Sequence, residues 1–241
     1  LVPTSSVVTP GSGSVSTIAF LYDNDVLLKK SGNLTINRSA TTGYITTTTL
    51  TRITDSRSYD ATYGEPSAYS AQYNPTSGTP TVFLSQTFTR DALGRIATKS
   101  ETVSGVTSTY AYTYDSAGRL VDVDKNRSAY SDYTYDTNSN RTSGNVGGAA
   151  FTANYDAQDR LETYNTETFG YNLNGEMTSR TDSATSQTTT YAYDALGNLK
   201  QVVLPSKTLN YKVDGFNRRV ARLTGTTVNA YYLYEDQLRI A

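Results

Sequence analysis

The sequence has no cysteine, no histidine, no tryptophan and a single methionine among its 241 residues. Without thiol or imidazole there is no Cys–His or Ser–His–Asp nucleophile, no imidazole or thiolate zinc site, no redox pair and no disulfide framework. Charge of one sign is also missing: 21 Lys and Arg stand against 22 Asp and Glu, a net charge of −1. The cationic surplus that drives binding to nucleic acid is therefore absent, and no nucleic-acid partner is expected. No apolar run reaches the ~18 residues that a membrane span needs, and no membrane span is expected. A chain of this length can build a core without covalent staples.

What is abundant is tyrosine, 21 residues beside 6 Phe. Threonine is also frequent, as in Thr46 through Thr49 and Thr188 through Thr190. Tyr, Thr and Val suit a pleated, half-buried surface, and a tyrosine buries its ring while its hydroxyl seeks a partner. The composition predicts an all-β protein with an aromatic, partly polar core. No segment carries a helical apolar stripe over ten or more positions, so helix content should be very low.

The chain repeats itself. Tyr110-Ala-Tyr112-Thr-Tyr114-Asp115-Ser-Ala-Gly118-Arg119-Leu120 is the clearest copy, and Tyr191-Ala-Tyr193-Asp194-Ala-Leu-Gly197-Asn198-Leu199 overlies it. Phe88-Thr-Arg90-Asp91-Ala-Leu-Gly94-Arg95-Ile96 keeps the form with Arg90 at the tyrosine position. Weaker copies run through Tyr133-Thr-Tyr135-Asp136, Tyr155-Asp156, Tyr171-Asn172, Val213-Asp214 and Tyr234-Glu235. From Asp91 through Asp115, Asp136, Asp156, Asn172, Asp194 and Asp214 to Glu235, successive spacings are 24, 21, 20, 16, 22, 20 and 21 residues. A sustained period near twenty is the mark of a repeat array.

Each copy reads as a β-hairpin. Tyr110, Tyr112 and Tyr114 recur at every second position and share one strand face. The strand ends at Asp115, whose carboxylate can accept the N–H two residues on, and at Gly118, which can take positive φ with a bulge. Arg119 can fold back on Asp115, but an exposed pair contributes only ~0–1 kcal/mol, so the turn is the main reason for the aspartate. Residues 1–20 read as a linker or opening strand. Residues 21–85 read as an irregular β lead-in with loose echoes at Tyr22-Asp23 and Tyr59-Asp60, and residues 86–241 as the array proper.

These motifs resemble the YD repeat of the Rhs family, which includes bacterial Rhs polymorphic toxins, the B and C components of insecticidal toxin complexes, wall-associated YD-repeat proteins and animal teneurins. The match is specific at Phe88–Ile96, Tyr112–Leu120 and Tyr191–Leu199, and Val213 to Arg222 is similar to the family's late repeats. The resemblance implies a long strip of hairpins that coils into a shell, which in bacterial members encloses a C-terminal toxic polypeptide. It implies repeat-signature roles, structural in kind, for Asp91, Gly94, Arg95, Tyr112, Tyr114, Asp115, Gly118, Arg119, Tyr135, Asp136, Tyr155, Asp156, Tyr193, Asp194, Gly197 and Asp214. The sequence holds no Asp-Pro dipeptide, so the family's self-cleaving core motif is absent from it, and about eight or nine units are too few to close a cavity. A curved, twisted open sheet is the expected form.

Other candidate sites weigh less. The acids recur in every unit, as turn residues do, so no catalytic residue and no enzyme activity are assigned. Asp136-Thr-Asn138-Ser-Asn140 and Asp122-Val-Asp124-Lys-Asn126 resemble the start of a calcium loop, but Arg141 and Arg127 stand where its glycine belongs. Gly144 to Gly148 lacks the Lys-Ser/Thr of a phosphate loop and reads as a loop or bulge. No metal and no cofactor follow. The expected function is a structural, secreted or cell-surface shell segment whose partners are the rest of a longer Rhs-type polypeptide or its toxin cargo. The alternative is a surface protein that self-associates through open sheet ends, or binds glycan through exposed Tyr112 or Tyr193.

Overall fold

A computed structural model describes residues 2–8 and 14–234. Among them are 22 β-strands and no helix, from Ser5–Val8 to Thr227–Tyr231. The chain divides into two compact units, residues 1–131 and 132–241. Within each unit the strands pair antiparallel with their neighbours in the chain, for example Val106–Tyr114 with Ile96–Val103 on one side and Leu120–Lys125 on the other. Each unit is thus an open meander, as the repeat predicts. The last two residues of the final repeat's Tyr-Leu-Tyr-Glu motif divide at the boundary of the described residues: Tyr234 lies inside, Glu235 outside.

Two kinds of turn alternate, so each unit has two distinct rims. One rim carries five-residue loops that open on Asp or Asn, at Asp91 and Asp115 in the first unit and Asp156, Asn172, Asp194 and Asp214 in the second. The other rim carries tight turns such as Ser104-Gly105, Asn126-Arg127 and Gly147-Gly148, where both residues have positive φ. That is the geometry whose twist matches paired strands. The stretch 21–85 is more regular than its sequence. The five-residue loop recurs at Asp23, and loops one residue longer open on Ser39 and Asp60.

The two faces of the strands differ. On one, Tyr110, Tyr112 and Tyr114 are half-buried beside buried Val123, and in the second unit Phe151 and Ala153 are buried. The opposite face is rich in hydroxyls, with a cross-strand row of Asn154, Thr163, Thr168, Thr181 and Thr188. The expected aromatic core is corrected in one respect. The buried positions belong to Ile36, Ala71, Val123, Phe151, Ala153, Val202, Ala221 and Leu223, with Ser131 the buried polar residue. No side chain among the described residues falls below 2% exposure. A unit made of one sheet has no second layer to cover a large ring fully, so small and aliphatic residues sink deepest and the tyrosines stay half-open.

The Gly144 reading is corrected too. Gly144 lies within the strand Arg141–Val146, and only Gly147-Gly148 form the turn. A Cβ at Gly144 would clash with the Asp132 carbonyl oxygen and stand 2.9 Å from the Phe151 ring. Close approach of backbone and ring, not a ligand, requires this glycine.

Candidate functional site: the aspartate rim

The loop at Asp91 contains the full design. Its N–H donates to the Arg95 carbonyl (2.9 Å) and its carbonyl accepts the Gly94 N–H (3.0 Å). Its Oδ1 accepts the N–H groups of Leu93 (2.9 Å) and Arg95 (3.0 Å). Its Oδ2 accepts the Arg95 Nε–H at 2.7 Å. One carboxylate therefore caps two backbone donors and anchors a guanidinium. The ion pair discounted from sequence is present at Asp115–Arg119, Asp156–Arg160 and Asp214–Arg218 as well, each at 2.7 Å. In the Asp194 loop, Asn198 replaces the arginine and donates to Oδ2 at 3.0 Å.

The fourth loop residue is left-handed. Gly118 sits at φ 84° and Gly197 at 81°, and the same conformation is adopted by Ser139, Asp159 and Asn217 at 72°, 60° and 60°. Those three loops keep their form without glycine, which is why their copies look degenerate in sequence.

The arginine also reaches forward. Arg95 lies over the Tyr114 ring at 4.4 Å, Arg160 over Tyr171 at 4.9 Å and Arg218 over Tyr234 at 5.1 Å. Each guanidinium so joins its own loop to the tyrosine that opens the next. That tyrosine reaches back in turn: the hydroxyls of Tyr59, Tyr114, Tyr155, Tyr171 and Tyr234 donate to the carbonyls of Ile45, Ile96, Arg141, Leu161 and Arg219, at 2.8–3.2 Å. Each acceptor is the residue just after the preceding loop. Arg90, at the tyrosine position, makes the equivalent bond through Nη2 to the Pro66 carbonyl at 3.1 Å. In the second unit, loops are also linked directly, with Asn138 and Asn140 both donating to Asp159 Oδ1 (2.9 and 2.7 Å).

The electrostatics follow from these bonds. The carboxyls of Asp91 and Asp214 are held below the ordinary aspartate range, first by the side chains of Arg95 and Arg218. At Asp115, Asp156 and Asp194 the first cause is the backbone N–H of the fifth loop residue. A general acid at neutral pH needs a carboxyl pushed the other way. Burial raises the phenols of Tyr112, Tyr171 and Tyr193, which keeps them neutral donors. The carboxylate of Asp136, set against calcium from sequence, caps its own loop, with Oδ1 accepting the N–H groups of Asn138 and Asn140 (2.9 and 2.8 Å).

The structure therefore brings together Asp91, Gly94, Arg95 and Tyr114 as one connected set, and repeats the set with Asp156, Arg160 and Tyr171. It does not bring the aspartates to one another, because successive loops lie two strands apart. Sequence reasoning missed the tyrosine-to-carbonyl bond; the recurrence of Tyr one residue before the Asp or Asn that opens a loop was the signal for it.

A rim whose polar groups are consumed in joining each repeat to the next defines a structural wall of β-hairpins. The Teneurin YD-shell family model matches residues 4–241, and the chain belongs to that family. Among solved structures, the fold is similar to TcdB2-TccC3 without its hypervariable C-terminal region, at 11% identity and a TM-score of 0.50, covering 90% of this chain. TcdB2-TccC3-Cdc42 is similar at 12% identity and a TM-score of 0.49, again over 90% of this chain. The chain spans 16% of the length of each of those chains. No curated protein sequence matches it. Family and fold support a structural, non-enzymatic shell role.

Proposed function

We propose that this chain is a stretch of wall from a YD shell that encloses and protects a toxin or effector polypeptide, on a secreted or cell-surface protein. The observation that carries the reading is the forward-and-back clamp, Arg95 over Tyr114 and Tyr114 to the Ile96 carbonyl. It ties each repeat to its neighbour, which supports a structural role for the rim. The remainder of the wall and the cargo belong to a longer polypeptide of which this chain is part. Glycan binding through Tyr112 or Tyr193 draws less support, because both rings are half-buried and the more open face carries Thr and Ser.

The test is limited proteolysis of the native protein that carries this segment. The reading expects a polypeptide that resists protease while the shell is intact and is digested once the shell is opened by mild denaturant. If every segment outside the shell repeats is digested at the same rate before and after opening, nothing is enclosed and the reading fails.

A further inference from the structure

The aspartate rim carries apolar side chains that its own loops do not need. Leu173, Leu196 and Phe216 stand at the tips of three successive loops in the second unit, 106%, 76% and 72% exposed. Each loop closes through its first, third, fourth and fifth residues, by backbone bonds and the side-chain oxygen of its opening Asp or Asn, without help from the tip side chain. At the position of Leu196 and Phe216, the loops at Asp115, Asp136 and Asp156 carry Ala117, Asn138 and Gln158. A small or polar residue therefore serves the turn equally well. Phe216 meets its own Arg218 at 5.1 Å, yet its ring remains open to solvent.

The tight-turn rim of the first unit is apolar as well. Leu50 pairs with Ile53 across the turn Thr51-Arg52, and Val103 with Val106 across Ser104-Gly105. All four are exposed, Val106 by 72%. Single exposed apolar residues are ordinary, but a run of them along one rim marks an interaction surface. Leu173 is the second residue of its loop and Leu196 and Phe216 the third, the place that Leu93, 77% exposed, holds in the first unit.

We infer that these two rims are complementary halves of one contact: the loop tips Leu173, Leu196 and Phe216 of one strip seat against the Leu50/Ile53 and Val103/Val106 edge of a second copy. Three observations choose this occupant. Loops on either rim recur every two strands, roughly 9.6 Å; the Leu50/Ile53 and Val103/Val106 ends are four strands apart, so they fall in step with Leu173 and Phe216, and Leu196 meets the hairpin end between them. Both edges are apolar, which suits burial of one against the other. Their flanking charges also differ in sign: exposed Arg52 and Arg127 stand in tight turns, while Glu176 and Asp194 on the loop rim hold amide partners, Asn172 and Asn198, in place of a guanidinium. The contact is heterologous, tips to edge, and such a contact extends rather than closing on a two-fold axis. It deepens the wall reading and rests on it, as a means of joining strip to strip. The few side chains involved bury far less than the ~800 Å² per partner of a stable complex. Free chains should therefore associate weakly, and strips tethered in one polypeptide far more strongly.

The test uses two variants of the whole chain in sedimentation velocity, up to about 1 mM as the high end of weak affinity. The tip variant is Leu173→Ala, Leu196→Gln, Phe216→Gln; the edge variant is Leu50→Thr, Ile53→Thr, Val103→Thr, Val106→Thr, which puts β-branched residues at all four strand ends. Circular dichroism first establishes that both fold. The wild type is expected to form a concentration-dependent ladder of oligomers. Each variant alone is expected to associate at least tenfold more weakly. An equal mixture is expected to recover dimers but no longer species, since only one tip and one edge survive per pair. A wild type that stays monomeric, a variant that still associates fully, or a mixture that stays monomeric would each overturn the contact. None of these outcomes bears on whether a cargo is enclosed, which the proteolysis experiment reads separately.

Discussion

Tyr114 donates its hydroxyl hydrogen to the main-chain carbonyl of Ile96, 2.8 Å away and eighteen residues earlier in the chain. The acceptor is the first residue after the Asp91 loop, and the ring of Tyr114 lies under Arg95 of that same loop. Two bonds of different kinds thus converge on one tyrosine and fix the step from one repeat to the next. The Tyr-Asp pair in the signature is two functions side by side, since the tyrosine looks back and the aspartate closes the loop ahead.

Tyr114→Phe removes the hydroxyl and keeps the ring under Arg95. The Ile96 carbonyl then loses a partner in a part-buried setting, and a cost of about 1 kcal/mol is expected from a typical net hydrogen bond. Tyr171→Phe removes the equivalent bond to Leu161 in the second unit. Because the two sites share no partners, their effects in urea unfolding should add within about 0.5 kcal/mol. A double variant no less stable than the wild type would show that these bonds contribute nothing.

How much of this was legible in the sequence depends on which physical rule each residue obeys. Asp115 and Gly118 announce themselves, because few residues cap a turn through a carboxylate or accept positive φ. Ser139, Asp159 and Asn217 take that same conformation without glycine, so their loops were visible only through the period. The alternation of Tyr110, Tyr112 and Tyr114 established a shared face, but a period of two does not say what that face packs against. The bond from Tyr114 to Ile96 joins residues that are neighbours only once the register is set. Gly144 looked like part of a glycine-rich loop because its true constraint, the Phe151 ring and the Asp132 carbonyl, comes from other strands.

The loop carboxylates make stability depend on acid. The pKa values of Asp91, Asp115, Asp156, Asp194 and Asp214 are lowered in the folded chain by hydrogen bonds to the charged form. Their contribution is therefore fully present above the unfolded value of about 3.9 and is lost as pH falls through the lower folded values. The urea midpoint should hold level from neutral pH down to the carboxylate range and fall below it. Asp115→Asn keeps an oxygen for the backbone N–H groups but loses the charge that holds Arg119. It should be less stable than the wild type at pH 7, with the gap narrowing once the pH drops below about 3.9. A gap unchanged from pH 7 to pH 2 would rule out an ionic contribution.

Gly144→Ala and Gly148→Ala separate two reasons for glycine. At Gly144 a methyl group meets backbone and ring, and overpacking of this kind costs about 1–3 kcal/mol. At Gly148 there is open space within 4 Å but φ is 93°, so the cost is conformational alone, about 1–2 kcal/mol for a left-handed alanine. Trimming the Phe151 ring to leucine should relieve the first variant in part, since the Asp132 carbonyl stays in place, and the second not at all. Thermal unfolding of the two double variants would decide, and equal responses would mean that Phe151 is not what Gly144 avoids.

The two faces of the strip predict opposite responses to the same pair of residue types. Thr181 and Thr188 face each other on the hydroxyl face, Oγ1 to Oγ1 at 3.0 Å, in an exposed setting. Replacing both by valine removes a donor and its acceptor together, and at an exposed position the change should stay within about 0.5 kcal/mol. Val202 pairs with Tyr191 on the other face and is 8% exposed. Val202→Thr keeps the shape but carries a hydroxyl into that buried position, at about 1–3 kcal/mol. Chemical denaturation of the two variants reads the difference directly. If valine on the threonine row destabilised as much as threonine at position 202, the faces would not be inside and outside, and the hydroxyl row would have to be covered in solution. The face that carries the tyrosines must be the costlier one to make polar, because it holds Val123, Phe151, Ala153 and Val202, among the most buried apolar residues of the chain.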